Sequence, residues 1–106
     1  MKKYRVIINA FAESDLEIAS DWYASRKDGL DHDFIGEIEK AIKRIQENPR
    51  QFAVVKMQIR MSIVKRFPYG IYFYISDDII NVFAVFHFSR NPKVLQKRLK
   101  PTIKKK

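Results

Sequence analysis

The apolar residues of this 106-residue chain change period part-way along it. From Ala10 to Glu47 they recur every three to four residues, the repeat of a helix face. After Met57 they alternate, the repeat of a strand with one buried side. In the first segment Ala12, Leu16, Ala19 and Tyr23 fall on one stripe, widened by Ile18 and Trp22. That predicts a helix from about Ala10 to Lys27. Asn9 stands where a cap is needed, and Ser14-x-x-Glu17 gives a weaker second capping signal. Acids gather early (Glu13, Asp15, Glu17) and Arg26-Lys27 close the segment, as the helix dipole favours. Asp28-Gly29 breaks it. Leu30, Phe34, Ile38, Ala41, Ile42 and Ile45 form the stripe of a second helix, Leu30 to Glu47, which Asn48-Pro49 stops. So short a break predicts an antiparallel helical hairpin.

Strands surround this hairpin in sequence. Tyr4-Arg5-Val6-Ile7-Ile8 is β-branched and aromatic and reads as a first strand. Met57, Ile59, Met61 and Ile63 alternate with polar residues, and a turn near Met57-Gln58 divides that region into Phe52–Lys56 and Arg60–Phe67. Extending the parity puts Arg60 and Arg66 on one face. Ile71–Ile75 is apolar on both sides, which predicts a central strand. A Ser76-Asp77-Asp78 turn leads into Ile79–Phe88, where Ile80, Val82, Ala84, Phe86 and Phe88 share a parity. The expected class is α+β in the order β-α-α-β-β-β, with room for one extra strand. The helical hairpin packs on one face of a mostly antiparallel sheet, and Arg60 and Arg66 occupy the other. Residues 1–95 form the domain. Residues 96–106 form a basic tail, with a short helical stretch between Pro92 and Pro101 and disorder at Lys104–Lys106.

Charge divides the chain as sharply as period does. Residues 1–55 carry nine Lys/Arg against ten Asp/Glu, whereas residues 56–106 carry twelve against two, Asp77 and Asp78. The whole chain is +9, which predicts an acidic or polyanionic partner on the second half. A hydrophobic content of 46% argues for a folded chain. No cysteine is present, which removes thiolate metal sites and disulfides and fits a reducing cytoplasm. His32 and His87 lie far apart, Asp31-x-Asp33 and Asp77-Asp78 lack the rest of a calcium loop, and three glycines make no phosphate loop. No metal, cofactor or membrane span is expected. Met1-Lys2-Lys3 has the charge of a signal-peptide start, but the apolar run Tyr4–Phe11 is short and acids follow, so no cleaved leader is expected.

The second half carries a more specific pattern. Arg60 precedes Phe67-Pro68-Tyr69-x-Ile71-x-Phe73, and Val82-x-Ala84-Val85-x-His87-x-x-Arg90-x-Pro92 follows. With Ala12-x-x-x-Leu16, Tyr23, Phe34 and Ile38 upstream, residues 4–92 resemble the RelE/ParE toxin superfamily of bacterial type II toxin–antitoxin modules, closer to its ParE, plasmid-stabilisation side. The resemblance implies a small growth inhibitor held inactive by a cognate antitoxin. ParE-type members act against DNA gyrase. RelE-type members cut mRNA in the ribosome without a metal. A non-toxic basic binding module of the same fold is the reading outside the toxin class.

Candidate residues follow. Arg60 and Arg66, with Tyr69, match the basic target- or phosphate-binding positions, Arg being suited to planar oxyanions. His87 and Arg90 form a candidate catalytic pair, one moving a proton and the other holding a phosphate. The competing role for His87 is packing on the sheet, and for Arg90 anchoring the chain end. No tyrosine follows Tyr74, so the C-terminal tyrosine of many RelE-type nucleases is missing. Leu16, Trp22 and Tyr23 are the expected antitoxin contacts on the first helix.

Overall fold

The polypeptide runs as β1 (Arg5–Ile8), α1 (Ala10–Arg26), α2 (Leu30–Glu47), a 3-10 turn (Pro49–Gln51), β2 (Val54–Lys56), β3 (Ile59–Ile63), β4 (Tyr69–Ser76), β5 (Ile79–His87) and α3 (Lys93–Ile103). This computed structural model describes residues 3–103. Five strands form one sheet in the order β1-β5-β4-β3-β2. All neighbours are antiparallel except β1 and β5, which pair parallel from Arg5↔Ile79 to Ile8↔Val82. The class is α+β, with the extra strand realised as β2 and β4 at the centre.

Local signals set both helices. Asn9 is extended (φ −79°, ψ 174°), and its Oδ1 accepts the Ala12 N–H at 3.0 Å. Gly29 turns the chain between the helices at φ 85°, a left-handed conformation that penalises any residue with a Cβ. The hairpin lies on the front of the sheet. There Ala12, Ala19, Tyr23, Phe34, Ile38, Ala41 and Ile45 meet Phe67, Ile71, Phe73, Ile80, Val82 and Val85. A smaller core lies on the back, where Leu95 and Leu99 of α3 cover Ile59, Phe83, Ala84 and Phe86.

Three expectations change. The parity of β5 breaks at a bulge: Phe73 faces Val82 while Tyr72 faces Ala84, leaving Phe83 over. Ile80 and Val82 therefore point to the front, and Ala84 and Phe86 to the back. Second, β3 ends at Ile63. Arg66 sits beyond it in a turn, at φ 72°, so it is not on a strand face. Third, the stretch after Pro92 is a helix to Ile103 whose Leu95 and Leu99 are buried, and the 95/96 boundary falls inside it. The disorder expected at Lys104–Lys106 lies outside the described residues.

Candidate functional site

Asp15 lies on the buried stripe of α1, between Ala12 and Ala19, with its side chain 4% exposed. A carboxylate so placed needs several donors. Its Oδ2 accepts the Val85 N–H at 2.9 Å and the Arg98 Nη1 at 2.6 Å. Its Oδ1 accepts Arg98 Nη2 at 2.9 Å and Arg90 Nη1 at 3.4 Å. Arg98 thus grips the carboxylate with both arms of its fork, the strong geometry for this pair. It also donates to the Phe83 carbonyl at 3.2 Å, and its guanidinium lies 4.9 Å from the Phe11 ring and 4.8 Å from that of Phe86. The last rung between β1 and β5 is at Val82, so Asp15 and Arg98 serve backbone groups of β5 beyond the reach of β1. By sequence Asp15 falls among the helix-start acids and Arg98 in the basic tail; the signal for the hub is an acid centred on an apolar stripe.

This hub decides where Arg90 goes. Its guanidinium rests 4.3 Å over the Phe86 ring, on the back core, and pairs with Asp15. His87, one residue further along β5 than Phe86, faces the front. It pairs with Tyr69 in the ladder, and the two rings are 5.3 Å apart, edge to face. The Arg90 N–H donates to the His87 carbonyl at 2.9 Å, but the two side chains of the candidate catalytic pair engage different partners. His87 Nδ1 accepts the Ser89 N–H at 3.0 Å and meets Ser89 Oγ at 2.9 Å. A backbone N–H only donates, so the neutral ring carries its proton on Nε2. The nitrogen left free is then a donor.

His87 and Tyr69 line one end of an open groove of about 520 Å³ whose other wall is Ile18, Trp22 and Tyr23 of α1, with Pro68 at the edge. Burial, then Tyr23 and the Asp15 carboxylate, raises the Tyr69 hydroxyl above the usual phenol value, keeping it protonated at neutral pH. The three expected antitoxin contacts separate by burial. Trp22 is 51% exposed, with Arg26 stacked 4.5 Å from its ring. Leu16 is half-buried against the core. Tyr23 is a core residue, packed on Phe34 and Phe67. Its position on the stripe fitted burial and exposure equally; the aromatic contacts decide for burial.

Arg60 and Arg66 also move. Arg60 pairs across the ladder with Phe73, a front-core residue, so it shares the helical side of the sheet rather than the far face. Its Nη1 donates to the carbonyls of Phe52 at 2.6 Å and Arg50 at 3.2 Å, tying down the turn after α2. Arg66 reaches α2 and pairs with Asp33 and Glu37, each at 3.5 Å. The two arginines thus hold separate local partners. Among the described residues no group of three or more His, Asp or Glu side chains is placed to hold a metal ion, and no helix is long and apolar enough to cross a membrane.

The model of the ParE toxin of the type II toxin–antitoxin system, parDE, matches residues 6–92. The chain belongs to that family. It is the toxin component of a type II toxin–antitoxin module, on the ParE side of the RelE/ParE superfamily. Among solved structures, one described as the chromosomal ParDE TA system from P. aeruginosa superposes with a TM-score of 0.70 at 18% identity. The match covers 80% of this chain and 96% of that chain, and it shows a shared fold. No curated protein matches in sequence. The ParE match ends at Pro92, so α3 and the Arg98 arm of the hub lie outside it.

Proposed function

We propose that this ParE-family toxin inhibits growth by acting on DNA gyrase in the cytoplasm, and that a cognate antitoxin neutralises it by covering the α1 groove. The gyrase reading starts from what the ParE resemblance implies. The observation that carries it against mRNA cleavage is that the His87 and Arg90 side chains are engaged by different local partners. Arg90 is held by the Asp15 carboxylate of α1 and rests on the Phe86 ring. His87 Nδ1 already accepts the Ser89 N–H, so that nitrogen is not free to take the proton of a ribose hydroxyl. The antitoxin reading draws on Phe11, Ile18 and Trp22, which are 50%, 67% and 51% exposed along α1. Such a stripe suits an amphipathic partner segment.

Two assays on the purified toxin separate the targets. The expected result is inhibition of gyrase-dependent supercoiling, or trapped gyrase–DNA cleavage complexes, with cell-free translation unaffected. Arrest of translation with cut mRNA and normal supercoiling would establish the RelE-type activity instead. Induction in cells without the antitoxin should give filamentation and a DNA-damage response. A chain that is harmless alone under strong induction would be the non-toxic binding module.

A further inference from the structure

A second groove crosses the back of the sheet, between α3 and the β2–β3 hairpin. It measures about 300 Å³ and is lined by Val55, Ile59, Met61, Tyr72, Leu95 and Gln96, with Lys56 and Pro92 at its edges. Ile59 and Leu95 are buried in it, while Val55 is 48% exposed. The same hairpin continues the apolar surface through Met57 and Ile63, which are 70% and 60% exposed. Met61 lies flat against Gly70: a Cβ there would come 2.7 Å from Met61 Sδ. One wall, α3, stands beyond the ParE match, so this chain builds the groove from a segment the family model does not include.

Charge narrows the occupant. Lys93 shares a face of α3 with Gln96 and Lys97. Lys56, Lys93 and Lys97 are exposed and have no ion-pair partner among the described residues. From Asn48 to Ile103 the only acids are Asp77 and Asp78, in the β4–β5 turn. A second copy of a +9 chain would set lysine against lysine. A nucleic-acid backbone would leave the apolar floor uncovered. An amphipathic segment with acids flanking apolar anchors satisfies floor and rim together.

We propose that this back groove is a second docking site for the cognate antitoxin, taking an acid-rich amphipathic segment and using α3 to select the partner. The assignment rests on the toxin–antitoxin reading above. The test is isothermal titration of the full toxin with its co-encoded antitoxin, at low and at raised salt. Val55→Asp puts a charge on the floor. Lys93→Glu with Lys97→Glu reverses the rim. All three positions are exposed, so melting curves should match the parent's. Gly70→Ala makes a second probe: its Cβ displaces Met61, a lining residue, which reshapes the groove without any change of charge. Binding should weaken tenfold or more in Val55→Asp and in the lysine pair, several-fold in Gly70→Ala, and the lysine pair should show a shallower salt dependence.

If the parent toxin binds tightly and all three variants bind equally well, the back groove is not a docking site, while the toxin–antitoxin reading stands. If the parent neither binds the antitoxin nor inhibits growth, both fall. A toxin that dimerises alone, and becomes monomeric with Val55→Asp, assigns the groove to self-association and overturns the proposal.

Discussion

Asp15 is the residue on which most depends. Removing one partner of a buried ion pair strands the other, which typically costs about 3–5 kcal/mol. Asp15→Ala leaves the Arg98 guanidinium and the Val85 N–H without their acceptor, so urea unfolding should show a loss in that range. Arg98→Ala combined with Asp15→Ala should cost less than the two single losses added, because both remove one interaction. Arg90 is different. Its side chain is 42% exposed, so its pair with Asp15 is screened, and Arg90→Ala should cost about 1 kcal/mol or less. A loss of toxicity in that variant, at unchanged melting temperature, would place Arg90 in the target contact. Arg60 is not the freely removable surface charge that its sequence position suggests. It donates to the Phe52 and Arg50 carbonyls, and charge-assisted bonds of this kind contribute about 1.5–3 kcal/mol. Arg60→Ala should therefore lower both toxicity and stability. Ser62 runs the other way: its hydroxyl is buried with no partner among the described residues, so Ser62→Ala should leave stability unchanged or raise it by up to about 1 kcal/mol.

At the level of elements, what was legible is what local chemistry decides. The α2 boundaries follow from Gly29 and Asn48-Pro49, and the structure reproduces them as Leu30–Glu47. The α1 start follows from Asn9. Asn9→Ala should cost about 1 kcal/mol, and Gly29→Ala about 1–2 kcal/mol for a side chain forced to φ 85°. Thermal melts of the two variants check both. The β2–β3 turn at Met57-Gln58 was also legible, and Met57 takes the positive φ, 53°, that such a turn imposes. What failed was parity carried too far. Nothing near Phe83 in sequence announces the bulge; it appears where β5 passes beyond β1 and its exposed backbone is claimed by Asp15 and Arg98. Arg66 leaves the strand because the Val64 N–H bonds to the Tyr69 carbonyl at 2.9 Å, closing a loop. Its charge then falls within reach of Asp33 and Glu37 on α2. Both events depend on residues distant in sequence, which alternation alone cannot register.

Across the molecule four of the five tyrosines share a behaviour. Burial raises the hydroxyls of Tyr23, Tyr69, Tyr72 and Tyr74 above 10.0, the ordinary phenol value. Above that pH the unfolded chain releases these protons first, so stability is complete below about pH 10 and falls as pH rises through the raised folded values. Melting temperature should therefore hold to about pH 10 and then drop, with phenolate absorbance from these four rings lagging that of the denatured chain. Substituting Phe for Tyr72 should shallow the drop; an unaltered drop would trace the alkaline loss to other groups. The hub on Asp15 also acts in time. Asp15 and Arg98 are 83 residues apart, and Asp15 and Val85 are 70 apart. Chains emerge from the ribosome N-terminal end first, and contacts so distant close late. Until the last helix is made, the Asp15 carboxylate lacks the two-armed grip of Arg98, and the Phe83 carbonyl of β5 lacks its donor. A chain cut before Arg98 keeps only the half-exposed Arg90 as counter-charge to Asp15, so its melting temperature should fall below that of the full toxin.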